Sequence, residues 1–120
     1  MDKINITKKD YNNLLVTYVR SLAKRYNESL GSSKDYYAIV DLEEQQFQFL
    51  RMGWHKHKFL FCVLIHLSIH PETGNIWIQQ NNTEIQIDLD LRVLAGVPNE
   101  HLVLGFIPAS MRPYSEYAVA

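Results

Sequence analysis

Residues 59–69, with the sequence FLFCVLIHLSI, decide how this chain folds. Odd and even positions of this segment are both mostly apolar, and in a β-strand these two sets point to opposite faces. The segment therefore predicts a long central strand that is covered twice, by helices on one face and by a tail, another helix or a second subunit on the other. Its apolar run of seven residues, 59–65, is far shorter than the ~20 that a membrane span needs.

Three further strand patterns flank this segment. Residues 36–41 and 47–54 alternate with a period of two, so that Phe47 and Phe49 share one face and Gln48 and Leu50 the other. Residues 76–80 form the fourth pattern. Because the intervening turns are short, the strands are predicted to form a four-stranded antiparallel meander.

Two helices are predicted around the sheet. Thr7 and Asp10 have the spacing of a capping box, and apolar residues then recur at helical spacing, which predicts a long helix over residues 8–27 that ends before Gly31-Ser32-Ser33. After strand four, residues 85–95 predict a second helix that closes at Gly96. Pro108 and Pro113 predict an extended, ordered C-terminal tail. The predicted fold class is α+β, in one domain over residues 1–120.

Composition limits the function classes. Twelve Lys and Arg residues against thirteen Asp and Glu give a net charge of −1, so the overall field does not attract DNA. The single cysteine, Cys62, cannot form an intramolecular disulfide, and the N-terminal sequence lacks the layout of a signal peptide. We therefore expect a cytoplasmic protein.

The histidines do not predict a metal site. His66 and His70 lie on a strand, where four residues span about 13 Å, too far for two bonds to one zinc ion. His55 and His57 could share an ion at a turn, but the adjacent Lys56 and Lys58 would repel it. The five glycines are scattered singly, so no phosphate-binding loop is present in the sequence. No cofactor and no metal are expected.

Nucleophilic catalysis would nominate Cys62 with His66, four residues further along the same strand. That spacing places both on one face but too far apart for direct proton transfer, and a buried thiol would resist ionisation. For His66 two interpretations stay open. It is either a core histidine bonded to a backbone carbonyl or to a tail hydroxyl such as that of Tyr114 or Tyr117, or a pocket residue.

DNA contact has only small basic patches available. Lys56, Lys58 and Arg51 lie near one turn, and Arg20, Lys24 and Arg25 lie on the first helix. Such patches predict weak, salt-dependent binding at most, so DNA is expected to be reached indirectly or weakly.

A set of aromatic and polar residues is typical of a protein interface or a pocket. The alternative is that both tryptophans are core, that Thr83 and Glu84 cap the second helix, and that Arg112 holds the tail through a carboxylate. The candidate partner or pocket residues are Trp54, His66, Trp77, Gln79, Glu84, Arg112 and Tyr114.

The C-terminal third of the chain carries a family resemblance. NIWIQQNNTE at 75–84 and LRVLAGVPNEHLVLGFIPASMRPYSEYAVA at 91–120, together with RMGW at 51–54 and LIHLSI at 64–69, resemble the XisI family, the fdxN element excision controlling factors of cyanobacteria. The chain departs from the family at Ile107, where relatives often have His or another polar residue, and at Asn81-Asn82, where they often have Asp-Gly.

The resemblance implies a non-catalytic accessory factor that acts with a sister protein, XisH, and a separate recombinase in the excision of a DNA element. Two alternatives are a small ligand-binding domain or enzyme with a pocket around His66 and the tail, and a weak direct DNA binder. The doubly apolar third strand is also compatible with a homo-oligomer.

Overall fold

The computed structural model describes residues 10–29 and 34–120. A long helix, α1 (Asn12–Ser29), opens the described chain. Leu15, Val19 and Leu22 on its predicted apolar stripe are fully buried, which confirms the stripe. The helix begins four residues later and ends two residues later than predicted. Thr7 and residues 30–33, which carry the predicted cap and helix break, lie outside the described residues. Within the described residues, no helix is long and apolar enough to cross a membrane.

Four strands follow in the predicted order and form antiparallel pairs. They are β1 (Tyr36–Asp41), β2 (Gln46–His55), β3 (Lys58–Ile69) and β4 (Ile76–Asn81). The helix α1 packs on β1 and β2 and covers one face of the sheet. Along β2 the predicted alternation is confirmed, because Phe47 and Phe49 are fully buried beneath α1 while Gln46 and Gln48 lie on the opposite face.

The third strand departs from the prediction at a β-bulge. Phe49 pairs with Ile65, but the next residue, Leu50, pairs with Val63, so Leu64 is an extra residue in β3. A one-residue insertion moves all later side chains to the other face. The odd-numbered residues therefore face away from α1 up to Val63 and enter the core from Ile65 onward. The bulge explains why the apolar residues on the α1 side of β3 change from even positions such as Leu60 to odd positions from Ile65 onward, whereas Phe59, Phe61 and Val63 make the opposite face apolar before the bulge.

The predicted four-stranded antiparallel meander is wrong in its last step. A fifth strand, β5 (Leu102–Leu104), pairs with β4 and runs parallel to it, so the sheet is mixed and has the order β1-β2-β3-β4-β5. Parallel neighbours need a crossover connection, which residues 82–101 supply. A strand of three residues is too short to give a readable alternation, although its Leu102 and Val103 are fully buried. The α+β class is confirmed.

The crossover contains the second helix within its predicted bounds. One α-helical turn, α2 (Ile87–Leu89), continues as a π-helical turn, Asp90–Leu94. The helix closes at Gly96 as predicted, since this residue has φ +72° and its N–H donates to the Arg92 carbonyl at 3.1 Å. A positive φ here favours glycine.

The C-terminal tail, residues 105–120, is ordered but not fully extended. A 3₁₀-helix, Ala109–Tyr114, follows Pro108 and includes Pro113, which corrects the prediction of an extended tail. Proline fixes φ near a helical value, so it is tolerated in a short turn even though it would break a longer helix. The chain end is tied down by two hydrogen bonds, from Ala118 N–H to the Leu102 carbonyl (2.8 Å) and from Asn75 Nδ2 to the Ala120 carbonyl (2.7 Å).

Candidate protein-binding face

The sheet face opposite α1, which we call the open face, carries most of the predicted site residues. Successive cross-strand pairs place their side chains on this face from one end of the β2–β3 hairpin to the other. In order, these pairs are Gln46 with Ser68, Gln48 with His66, Leu50 with Val63, Met52 with Phe61, and Trp54 with Phe59. The face is thus polar at one end and apolar at the other.

The polar end is a connected hydrogen-bond network centred on His66. The Gln48 Nε2 amide donates to His66 Nδ1 at 3.0 Å, and His66 Nε2 donates to Gln46 Oε1 at 2.7 Å. The Ser68 hydroxyl donates to the same oxygen at 2.8 Å, and Gln79 Nε2 donates to the Ser68 hydroxyl at 3.4 Å. Because one ring nitrogen donates and the other accepts, the imidazole is neutral. Its burial lowers the pKa of His66 below the ordinary 6.5.

The partners of His66 differ from those predicted. They are side-chain amides of β2, not a backbone carbonyl or a tail hydroxyl. A shallow depression of about 440 Å³ adjoins the ring and is lined mainly by polar side chains. These lining residues are Gln46, Gln48, Val63, His66, Ser68, Gln79 and Gln80. His66 is therefore half-buried beside a cavity, which keeps the pocket interpretation open.

The bulge separates Cys62 from His66 more fully than sequence spacing suggested. Cys62 pairs with Arg51 and His66 with Gln48, which lie on opposite faces of β2, so the two side chains point to opposite sides of the sheet. Cys62 is also exposed rather than buried. Among residues 10–29 and 34–120, no three His, Cys, Asp or Glu side chains come together in a metal-binding group.

The tail lies over the open face at β4. The Arg112 guanidinium carbon lies 4.7 Å from the centre of the Trp77 ring, a cation–π contact. Arg112 thus holds the tail through an indole, not through the carboxylate considered from the sequence. His70 stacks on the same indole with ring centres 5.6 Å apart. Gly105 allows this packing, because a Cβ atom there would lie 2.9 Å from Trp77 Cε3.

Two apolar side chains project from the 3₁₀-helix of the tail. Met111 is 51% exposed and Tyr114 is 83% exposed. Residues three apart in a 3₁₀-helix lie on the same side, so Met111 and Tyr114 form one surface, which we call the tail surface. Tyr117 attaches the segment after this 3₁₀-helix to the crossover between β4 and β5. Its hydroxyl donates to Asp88 Oδ2 at 2.6 Å and accepts from Arg92 at 3.2 Å.

Trp54 lies at the apolar end of the open face and is 70% exposed, so the core interpretation is wrong for this tryptophan. It packs edge-on against Phe59 with ring centres 5.3 Å apart. Trp54 lies six positions after Gln48, the cross-strand partner of His66, which places Trp54 roughly 20 Å from the polar network. Trp54 and His66 therefore share a face but not a site.

The remaining predicted residues are divided between these places. Gln79 joins the His66 network, whereas Glu84 is exposed in the turn after β4. Neither Thr83 nor Glu84 caps α2, whose N-cap is Gln86 without a side-chain hydrogen bond. Thr83 instead closes the turn by accepting from the Ile85 N–H at 3.0 Å. Sequence reasoning missed four open-face residues and one residue of the tail surface, Met111. The open-face residues are Gln46, Gln48, Ser68 and Phe61, of which the first two could have been found from their alternation with Phe47 and Phe49.

These observations define an α+β protein with one helix-covered and one open sheet face. The chain belongs to the XisI family: the family described as "XisI protein" matches residues 1–119. The crystal structure of a XisI-like protein from Anabaena variabilis is similar, with 33% identity, a TM-score of 0.68, and coverage of 88% of this chain and 99% of that one. The fdxN element excision controlling factor XisI from the same organism has 28% identity and a TM-score of 0.66, over 92% and 100% of the two chains. No curated protein matches the sequence significantly.

Proposed function

We propose that this protein is an excision controlling factor that acts as a non-catalytic accessory protein, by binding another protein through its tail surface. Membership of the XisI family supports the role in excision, since one similar structure is that of a protein named fdxN element excision controlling factor XisI. The proposed contact with another protein rests on the exposure of Met111 and Tyr114, which lie on a segment that the Arg112 and Tyr117 side chains hold in place by packing and hydrogen bonding.

A rigid, exposed aromatic residue is well suited to binding. Tyrosine beside other apolar side chains is enriched among the residues that dominate interface energies. Two contacts hold the tail surface in place: the cation–π contact of Arg112 with Trp77, and the hydrogen bond from the Tyr117 hydroxyl to the Asp88 carboxylate. Binding would therefore order few additional side chains, and the entropic cost of association would be small.

The partner that the family suggests is an XisH-like protein. The net charge of −1 supports an indirect route to DNA, because the protein alone offers no field that attracts a polyanion. In a low-salt gel shift, we expect no stable complex with duplex DNA unless the partner is added. A shift by the chain alone that weakens steeply with salt would instead support direct phosphate contacts.

A pull-down tests the contact with the XisH-like protein. The wild-type chain should retain the partner at micromolar concentration, and Tyr114→Ser should weaken retention by about tenfold or more, as expected for an interface hot spot. Leu94→Ser is the matched control, since Leu94 is as exposed as Tyr114 (81%) but lies on the second helix. Failure of the wild-type pair to associate, or equal loss in both variants, would contradict the proposal.

A second candidate function follows from the depression at His66. Its rim of amides and one neutral imidazole suits a small polar, uncharged ligand. The His66 ring resonances, followed by NMR, would shift on addition of such a ligand and stay unchanged in the presence of a tail-binding protein. Absence of any shift across a panel of small polar compounds at millimolar concentration would remove this candidate.

A further inference from the structure

The far end of the β2–β3 hairpin extends beyond its neighbouring strands. The β1 ladder ends at Arg51, with one further hydrogen bond from the Met52 N–H to the Asp35 carbonyl, and pairing with β4 begins at Ile65. Residues 52–61, which we call the arm, therefore form a two-stranded ribbon among the residues that the structure describes. Such ribbons are marginal in water unless something packs against them.

The open face of the arm is strongly apolar. Trp54 is 70% exposed, Phe61 is 63% exposed, and Phe59 lies between them on the same face. Aromatic side chains grouped in this way on a soluble protein mark an interaction surface more often than an isolated exposed residue does. Among residues 10–29 and 34–120 nothing covers this apolar surface of the arm, and the charges at the two ends of β2 indicate what fits it.

The two ends of the open face carry opposite charge. At the arm tip, the turn between β2 and β3 presents Lys56 and Lys58, both exposed. At the other end of β2, the turn from β1 presents Asp41, Glu43 and Glu44, also exposed. A second copy of this chain, packed face to face with its strands reversed, would place each basic tip over the partner's acidic turn.

Positions along β2 match this arrangement. A two-fold axis that lies between the two sheets, perpendicular to the strands and level with Leu50, relates positions equally far from Leu50. It brings Lys56, six residues after Leu50, to Glu44, six residues before it. It also places Trp54 of one copy opposite Gln46 and Ser68 of the other, which line the depression beside His66. An axis parallel to the strands would instead bring four lysines together.

We propose that the protein forms a symmetric dimer through its open face, in which Trp54 of each copy enters the polar depression beside His66 of the other. The indole N–H would donate to the side-chain amide oxygens that line the depression, and the aromatic rings would cover the remaining apolar surface. This inference does not depend on the proposed contact through the tail surface, which is a separate part of the chain, but it excludes the second candidate, since Trp54 of the other copy would occupy the depression assigned there to a small ligand.

Sedimentation equilibrium tests the dimer. The wild-type chain should be dimeric at about 100 μM, as expected for a micromolar Kd. Trp54→Ser should raise the dimer Kd by about tenfold or more. Leu94→Ser, which removes a still more exposed apolar side chain (81% against 70% for Trp54) away from the open face, should leave the Kd unchanged. A wild-type protein that stays monomeric, or equal effects of the two substitutions, overturns the inference.

Charge reversal tests the antiparallel arrangement. Lys56→Glu with Lys58→Glu gives a chain that is acidic at both ends, and Glu43→Lys with Glu44→Lys gives one that is basic at both ends. Each variant alone should dimerise about tenfold more weakly, and an equimolar mixture should form a heterodimer as stable as the wild type. A mixture that fails to associate overturns the arrangement. These variants retain Tyr114, so partner retention in the pull-down separates failure of the dimer from failure of the proposed function.

Discussion

The contact between Arg112 and Trp77 should fix the tail with a measurable coupling energy. The guanidinium carbon lies 4.7 Å from the ring centre, well inside the ~6 Å range of cation–π attraction. Because Arg112 is half-buried, we expect about 1–2 kcal/mol, toward the upper part of the range for such pairs. Removal of the packed methylene groups adds to this value, so Arg112→Ala should lower the free energy of unfolding by about 2 kcal/mol.

A double-mutant cycle isolates the coupling from the other effects of each substitution. Arg112→Ala, Trp77→Leu and the double variant are unfolded with urea and followed by circular dichroism, since Trp77→Leu changes the fluorescence. The loss from Arg112→Ala should be about 1–2 kcal/mol smaller when Trp77 is already replaced. Arg112→Lys serves as the control and should recover only part of the stability, since an ammonium group lacks the planar overlap. A coupling below about 0.3 kcal/mol would refute the reasoning that this pair holds the tail.

Three further predictions concern the network, the close packing and the chain end. Burial lowers the pKa of His66, so the unfolded chain takes up a proton first as the pH falls below about 6.5, and the free energy of unfolding then decreases. Urea unfolding between about pH 7.5 and pH 5 should therefore show a shallower pH dependence for His66→Gln than for the wild type; identical slopes would contradict this. Gly105→Ala should destabilise the protein by about 1–3 kcal/mol in thermal unfolding, because the added Cβ lies 2.9 Å from Trp77 Cε3, and an unchanged midpoint would count against that packing. Tyr117→Phe should cost about 1–2 kcal/mol in urea unfolding, because it leaves the Asp88 carboxylate without its 2.6 Å donor; a neutral effect would show that water replaces the hydroxyl at no cost.

The regular parts of the fold could be predicted from the sequence because they follow a single period. The apolar stripe of α1 and the alternation of Phe47 and Phe49 against Gln48 in β2 each match one element of the structure. Gly96 marked the end of the second helix correctly, since a residue with φ +72° is needed there. In these places local pattern and tertiary burial agree.

The bulge at Leu64 could not be predicted, because it changes the period within a continuous apolar segment. Phe61 and Ile65 look equivalent in the sequence, yet one is exposed on the open face and the other is fully buried. Strand β5 was missed for a related reason, since Leu102 to Leu104 is too short to show alternation and pairs with a distant strand. Register and pairing depend on contacts that a local pattern does not contain.

The candidate site was predicted only in part. Arg112 and Tyr114 lie on the tail, and Trp77 lies beneath it. His66 and Gln79 belong to one hydrogen-bond network on the open face. The sequence did not indicate that Arg112 would contact Trp77, because a cation–π contact leaves no spacing signal between residues 35 positions apart. Nor did it separate Trp54 from His66, since that distance depends on the length of the paired hairpin.

Hydrogen–deuterium exchange of the chain, with and without an XisH-like protein, tests the central claim most directly. The backbone N–H groups of Met111 and Ser115 donate within the 3₁₀-helix of the tail, and they should exchange more slowly when the partner covers Met111 and Tyr114. Exchange on the second helix around Leu94 should stay unchanged. Protection confined to that helix, or no protection anywhere at saturating partner, would contradict binding through the tail surface.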